Sequence, residues 1–296
     1  MTLIQHRRLV TGLAVTTSVM AAGTSAVMFS GSAEAGSRPA TVSIGNDLVF
    51  QAAPGQVNQL TITKSWAAPE KDPGGYGGGE YTYRLDDRVE IDTDEDECTY
   101  PDASDRTLVV CTFVHGYGQD PGEVGYFNLG DKNDTVKFVN PGDYYANDRV
   151  HLGAGNDTYT SNQKAQDASY IIGGAGRDTI TTGEQIGDVS GILGGTGNDT
   201  IRTWGSYGYA GVQGQDGNDT IYGGAGEQRL NGGAGDDVIR AGAGKDLVWG
   251  GPGQDLLYGG TGADEIYGNG GNDKLYGGPG SDTLSGGPGK DLIKHD

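Results

Sequence analysis

Residues 232–260 read GGAGDDVIRAGAGKDLVWGGPGQDLLYGG, three near-copies of one nine-residue phrase. Each copy puts a carboxylate at its sixth position, Asp237, Asp246 and Asp255, and an aliphatic residue two places later, Ile239, Val248 and Leu257. Followed in both directions, the phrase runs from Gly214 to Lys294 as nine nonapeptides without an insertion. The sixth position then holds Asp219, Gln228, Asp237, Asp246, Asp255, Asp264, Asp273, Asp282 and Asp291. The eighth holds Ile221, Leu230, Ile239, Val248, Leu257, Ile266, Leu275, Leu284 and Ile293. Positions one to four are typically Gly-Gly-x-Gly, as in Gly250-Gly251-Pro252-Gly253. Repetition at this level dictates architecture before local propensity does, because a unit this small buries its apolar residue only by stacking on its neighbours.

The pattern G-G-x-G-x-D-x-U-x, with U aliphatic, resembles the RTX or hemolysin-type calcium-binding repeat family. The resemblance covers residues 214–294 and implies an all-β fold, a parallel β-roll or β-solenoid. In that family six residues turn, three form a short strand, and two repeats complete one coil. Residues 18 apart, such as Asp237 and Asp255, would then stack at the roughly 4.8 Å spacing of parallel strands. The carboxylates fall into two columns. One holds Asp219, Asp237, Asp255, Asp273 and Asp291; the other holds Asp246, Asp264 and Asp282, preceded by Gln228. Stacked carboxylates repel, and no basic residue recurs in register to neutralise them. Several Ca²⁺ ions between successive turns would, since this hard cation takes six to eight oxygens and both Asp and turn carbonyls supply them. Glycine lets the turn reach positive φ and lets carbonyls converge on an ion. Position eight supplies a narrow core of small area, so metal binding is expected to provide much of the folding free energy.

The first column extends upstream. Asp157, Asp178 and Asp199 close the segments Gly153–Asp157, Gly173–Asp178 and Gly194–Asp199 and lie 21, 21 and 20 residues apart on the way to Asp219. Each interval is one full coil, with a longer, irregular turn expected on the opposite side. Ala210, 18 residues before Gln228, also lacks a carboxylate, so the second column should be depleted of metal there. The earliest candidate start of the roll is Gly130-Asp131-Lys132-Asn133-Asp134. Asp157, Asp178, Asp199, Asp219, Asp237, Asp246, Asp255, Asp264, Asp273, Asp282 and Asp291 are the candidate calcium ligands.

Four stretches follow. Residues 1–35 have the plan of a signal peptide: His6-Arg7-Arg8, an apolar run to Phe29, and Ala33-Glu34-Ala35 as a cleavage site. A secreted, extracellular chain is therefore expected. Residues 36–128 form a small β-rich domain, with strands expected at 41–44, 48–51, 59–66, 81–85, 89–91 and 107–114 between Gly- and Pro-rich breakers. Residues 129–213 are degenerate long-period coils, and 214–296 the regular β-roll. Cys98 and Cys111 are the only cysteines and, in an exported chain, are expected to pair. The acidic run Asp92–Glu97 lacks the glycine and the terminal Glu of an EF-hand and reads as solvated charge.

Composition narrows the function. With 56 glycines, a formal net charge of −20 and a sequence pI near 4.4, the chain lacks the basic surface that nucleic acid or an anionic membrane requires, and no segment after the leader could span a bilayer. No H-E-x-x-H, G-x-S-x-G or phosphate-loop motif occurs, so no enzyme is expected. The resulting reading is a calcium-binding protein whose roll folds on binding the ion. The alternative is an adhesin or cell-wall polysaccharide-binding module using the position-nine aromatics Tyr222, Trp249, Tyr258, Tyr267 and Tyr276, with Ca²⁺ as scaffold.

Overall fold

A computed structural model describes residues 38–67, 79–114, 124–140, 148–161, 170–183, 191–204 and 211–295. Residues 1–35, expected as a leader, and residues 162–169, 184–190 and 205–210, Ala210 among them, which fall in the intervals expected to make longer turns, lie outside them. Every named element is a strand, and the strands assemble into two sheets, one of twelve and one of thirteen. From Gly125–Asn128 onward, successive strands alternate between the sheets and pair in parallel with the strand one coil away. This is a β-solenoid, and its repeat register is 18 residues wherever the nonapeptides are regular: Ile221 opposes Ile239, Ile239 opposes Leu257, and Leu257 opposes Leu275. Upstream the same sheet pairs Tyr159 with Ile180 and Ile180 with Ile201. The longer sequence intervals there leave the strand register intact.

Three-residue strands such as Thr220–Tyr222 put one side chain inside and two outside. The inward one is the position-eight aliphatic, so Ile221, Leu230, Ile239, Val248, Leu257, Ile266 and Leu275 are fully buried in one continuous core. Burial fades at the last coil, where Ile293 is 40% exposed. The outer face of the second sheet carries a ladder in which Arg240 lies over Tyr222 and Tyr258 at 5.6 and 5.1 Å and Tyr258 stacks on Tyr276 at 4.9 Å. Arg202 and Lys294 extend it at either end.

The segment read above as a separate β-rich domain contributes to the same two sheets. Leu48–Gln51 pairs in parallel with Gly125–Asn128, and Gln59–Ala67 with Thr135–Val139. Beyond them the pairing turns antiparallel: Ala40–Ile44 closes on Leu48–Gln51, while Glu80–Asp86 and Leu108–Val114 add to Gln59–Ala67. Change of strand direction ends the repetition and gives the solenoid a cap, covering an edge that would otherwise offer unpaired backbone groups. At the far side of this cap a disulfide joins Cys98 to Cys111, which face each other across paired strands. The expected strands of this region all form, within two residues of their expected ends.

Candidate metal centre

From Asp148–Ala154 onward the turn after each strand of the first sheet carries a Gly-rich phrase ending in Asp and delivers that Asp to one edge of the roll, as Gly250–Asp255 does between Leu247–Pro252 and Leu256–Thr261. In the regular repeats the turn leaving the second sheet does the same on the other edge. Two columns result. Along the first, the N–H groups of Asp157, Asp178, Asp199, Asp219, Asp237, Asp255 and Asp273 each donate to Oδ1 of the Asp in the following coil, ending at Asp291, over 2.7–3.1 Å. Along the second, Gln228, Asp246 and Asp264 donate likewise to Asp246, Asp264 and Asp282 over 2.9–3.0 Å. The structure thus brings all eleven sequence-selected Asp residues into two files.

Ten of the eleven carboxylates are half satisfied. Oδ1 accepts a hydrogen bond, while Oδ2 of Asp157, Asp178, Asp199, Asp219, Asp237, Asp246, Asp255, Asp264, Asp273 and Asp282 is buried without a hydrogen-bond partner. A buried anionic oxygen left in that state costs several kcal/mol, and the acid equilibria register it. Burial, reinforced by neighbouring carboxylates in the column, pushes Asp178, Asp237 and Asp255 up to about 7. Burial and the Asp264 charge bring Asp246 to about 7. Burial lifts Asp157 and Asp219 to about 6 and also raises Asp199, Asp264 and Asp273. A file of carboxyls held this way is ionised at neutral pH only at a cost, which a cation removes.

Glycine makes room for one. A Cβ on Gly250 would sit 2.2 Å from Asp255 Oδ2; on Gly251, 1.8 Å from the Gly233 carbonyl oxygen; on Gly253, 1.9 Å from the Gly235 carbonyl oxygen. The carbonyls of positions two and four therefore face the next coil, while at position one Asp237 Oδ2 and the Gly250 carbonyl oxygen of the following coil converge on Gly232, 2.2 and 2.7 Å from where its Cβ would be. Among the described residues no three His, Cys, Asp or Glu side chains converge into a metal cluster, so main-chain carbonyls must complete any coordination shell. An all-oxygen set of one carboxylate per coil plus carbonyls suits Ca²⁺ and not zinc, which favours nitrogen and sulfur.

Further residues complete the files. Asp134 continues the first column: its N–H donates to Asp157 Oδ1 and its own Oδ1 accepts from the Asn58 N–H and carboxamide. Burial raises it to about 7, with Asp157 and Asp87 adding to the rise. Asn58 thereby ends the file at the cap. A second ladder runs beside it at position five, where Asn218 receives the Asp236 N–H, Asn198 the Asn218 N–H and Asn156 the Arg177 N–H. Gln228 occupies its place in the second column buried, with Thr203 Oγ1 donating to its Oε1 at 3.3 Å.

The profile of the RTX calcium-binding nonapeptide repeat (4 copies) matches residues 145–162, 166–186, 192–206, 212–227, 224–257 and 258–293. No curated protein matches the chain. The matched repeat is a structural calcium-binding element rather than a catalytic one, and among the described residues no helix is long and apolar enough to cross a membrane. Repeat profile, solenoid register and the twin files of Asp agree: across residues 145–293 the chain belongs to the RTX calcium-binding nonapeptide repeat family.

Proposed function

We propose that the protein is secreted and that its roll folds as several Ca²⁺ ions enter between stacked turns, with Asp157, Asp178, Asp199, Asp219, Asp237, Asp246, Asp255, Asp264, Asp273, Asp282 and Asp291 supplying the side-chain oxygens. The observation that carries this reading is the run of buried, unpartnered Asp Oδ2 atoms beside glycine carbonyls. Ca²⁺ supplies charge neutralisation; the folded chain supplies the alignment, through the inter-coil N–H to Oδ1 bonds that fix each carboxylate beside the ion. Extracellular modules bind this ion at roughly 10⁻⁴ to 10⁻³ M, so a low-calcium cytosol would keep the roll open until export. RTX repeats are typical of secreted bacterial proteins, which supports that localisation.

The alternative, polysaccharide binding on the position-nine aromatics, needs ring faces open to a sugar. Tyr258 and Tyr276 instead turn their faces to each other, with an interplanar angle of 12°, and Arg240 packs over Tyr222 and Tyr258. That ladder supports a structural role for these rings. Far-ultraviolet circular dichroism of the full chain tests the main reading: β signal and melting temperature should rise together as millimolar Ca²⁺ replaces chelator. Equal spectra and equal melting in the two conditions would overturn it.

A further inference from the structure

The cap holds a buried polar group that the calcium columns do not use. Lys64, on the strand Gln59–Ala67, is 1% exposed and Asp148, which opens the strand Asp148–Ala154, is 0% exposed. Lys64 Nζ lies 3.0 Å from Asp148 Oδ2, and the Tyr83 hydroxyl donates to Asp148 Oδ1 at 2.6 Å. The lysine nitrogen sits over the rings of Tyr81 and Tyr83, at 5.0 and 5.3 Å. Phe113 stacks on Tyr83 and Phe127 packs beside it, so the pair lies in an aromatic box. Gly125 clears the space over the acid: a Cβ there would lie 2.8 Å from Asp148 Oδ1.

We propose that Lys64 and Asp148 condense to an intramolecular amide, an isopeptide cross-link between the two sheets. An ion pair in an apolar box gains from proton transfer, because a neutral amine and a neutral acid cost far less to bury than two charges. Burial draws the Lys64 ammonium down from its usual range, against the pull of Asp148, which favours the nucleophilic amine. Burial and the Asp148 charge hold the Tyr83 phenol well above its usual range, so it stays protonated as a donor. Nζ attacks Cγ, and negative charge gathers on Oδ1, where the Tyr83 hydroxyl is already aimed. The new C–N bond forms as the Cγ–Oδ2 bond breaks. Counted from the ion pair, the nitrogen gives up two protons, which leave with Oδ2 as one water. Nothing is oxidised or reduced, and no co-reactant is consumed.

The two residues are 84 positions apart in sequence, so the bond would tie the capping strand Gln59–Ala67 covalently to a coil of the solenoid. The observation that separates a bond from an ion pair is mass. Full-length protein, folded in calcium and shown to melt cooperatively, is denatured, reduced and weighed. The expected result is a mass one water below that of the sequence, with a branched proteolytic peptide joining Lys64 to Asp148. Lys64→Met should restore the full mass. Tyr83→Phe should slow appearance of the branched peptide after refolding several-fold or more, a rate effect that a purely packing role would not produce in protein with an unchanged melting profile. A full, unmodified mass for the folded wild-type chain, or a missing water located on any other residue, would overturn the proposal.

Discussion

Replacing Gly251 with alanine should damage the roll far more than replacing Gly270, although both lie in the same kind of turn. Gly251 is at position two, with φ +117°, and a Cβ there would meet the Gly233 carbonyl oxygen at 1.8 Å. Because real Cβ contacts stay beyond 3.0 Å, the neighbouring coil would have to retreat by about 1.2 Å, a quarter of the ~4.8 Å spacing between stacked strands. The obstacle is backbone and cannot rotate away. A non-glycine residue at such a φ costs about 1–3 kcal/mol, and overpacking against a fixed wall about 1–3 kcal/mol more. Gly270 is at position three, where other repeats carry Ala234, Ala243 and Pro252; nothing lies within 4 Å of its missing Cβ. Alanine there should be neutral or stabilise by about 0.4–1 kcal/mol. At roughly 2–4 °C per kcal/mol for a chain of this size, Gly251→Ala should melt about 4–24 °C below wild type in saturating Ca²⁺. Position one makes a poorer test, since Ala241 shows that a methyl is accommodated beside Asp246. Gln215 and Asn269 fill position two elsewhere at the lower φ of +80° and +69°, so the demand for glycine holds for Gly251 itself: melting of Gly251→Ala and Gly270→Ala within about 2 °C of each other would refute it.

The calcium-free protein should be more stable in acid. Asp157, Asp178 and Asp237 titrate near 6 to 7 when folded and near 3.8 when unfolded, so the folded chain binds more protons in that window and stability falls as pH climbs through it. Melting in metal-free buffer at about pH 4.5 and about pH 7.5 checks the sign, and a higher midpoint at the upper pH would contradict it. Gln228→Asp should raise the Ca²⁺ stoichiometry by restoring a carboxylate beside Asp246, and should destabilise the metal-free form by adding a buried charge; calorimetric titration counts the ions. Leu257→Ala removes a side chain that is 0% exposed and should cost about 2–5 kcal/mol. Ile293→Ala, at the same repeat position but 40% exposed, should cost under about 1 kcal/mol; equal losses on chemical unfolding would argue against a core that fades at the last coil.

Periodicity made the roll legible because it encodes pairing as well as local structure. A nine-residue repeat with a buried eighth position leaves little freedom in register, and the two Asp files follow from it: Asp237 and Asp255 are joined by a hydrogen bond while Asp246 lies in the other file. The cap was half legible. Alternating runs such as Gln59–Ala67 announce strands, but no period says which strand is the neighbour, so the merging of residues 36–128 into the same two sheets had no sequence signal. Asp134 was visible only as the remnant Gly130–Asp134, and Asn58 not at all, since its contact with Asp134 spans 76 residues. The position-five Asn ladder did leave a trace, the Asn-Asp pairs at 156–157, 198–199 and 218–219. Its role depends on an N–H one coil away, which becomes apparent only once the stacking is known.

The core changes character along the axis, and this bears on where metal dependence should reside. Near the cap the largest buried side chains are Tyr83, Tyr159, Phe50, Phe127 and Phe138, in strands of four to nine residues closed by a disulfide. Aromatic residues of this size bury 150–250 Å² each, enough for a conventional hydrophobic core. From Gly211 onward each half-coil buries one aliphatic side chain, worth about 1.5–3 kcal/mol, and fixes nine residues whose backbone ordering costs roughly 1–2 kcal/mol apiece. Backbone hydrogen bonds narrow that deficit, while the stacked carboxylates of the column widen it. The regular repeats are therefore the part of the chain whose folding has most to gain from a bound cation, and the cap is the part that can be ordered first and offer them a template.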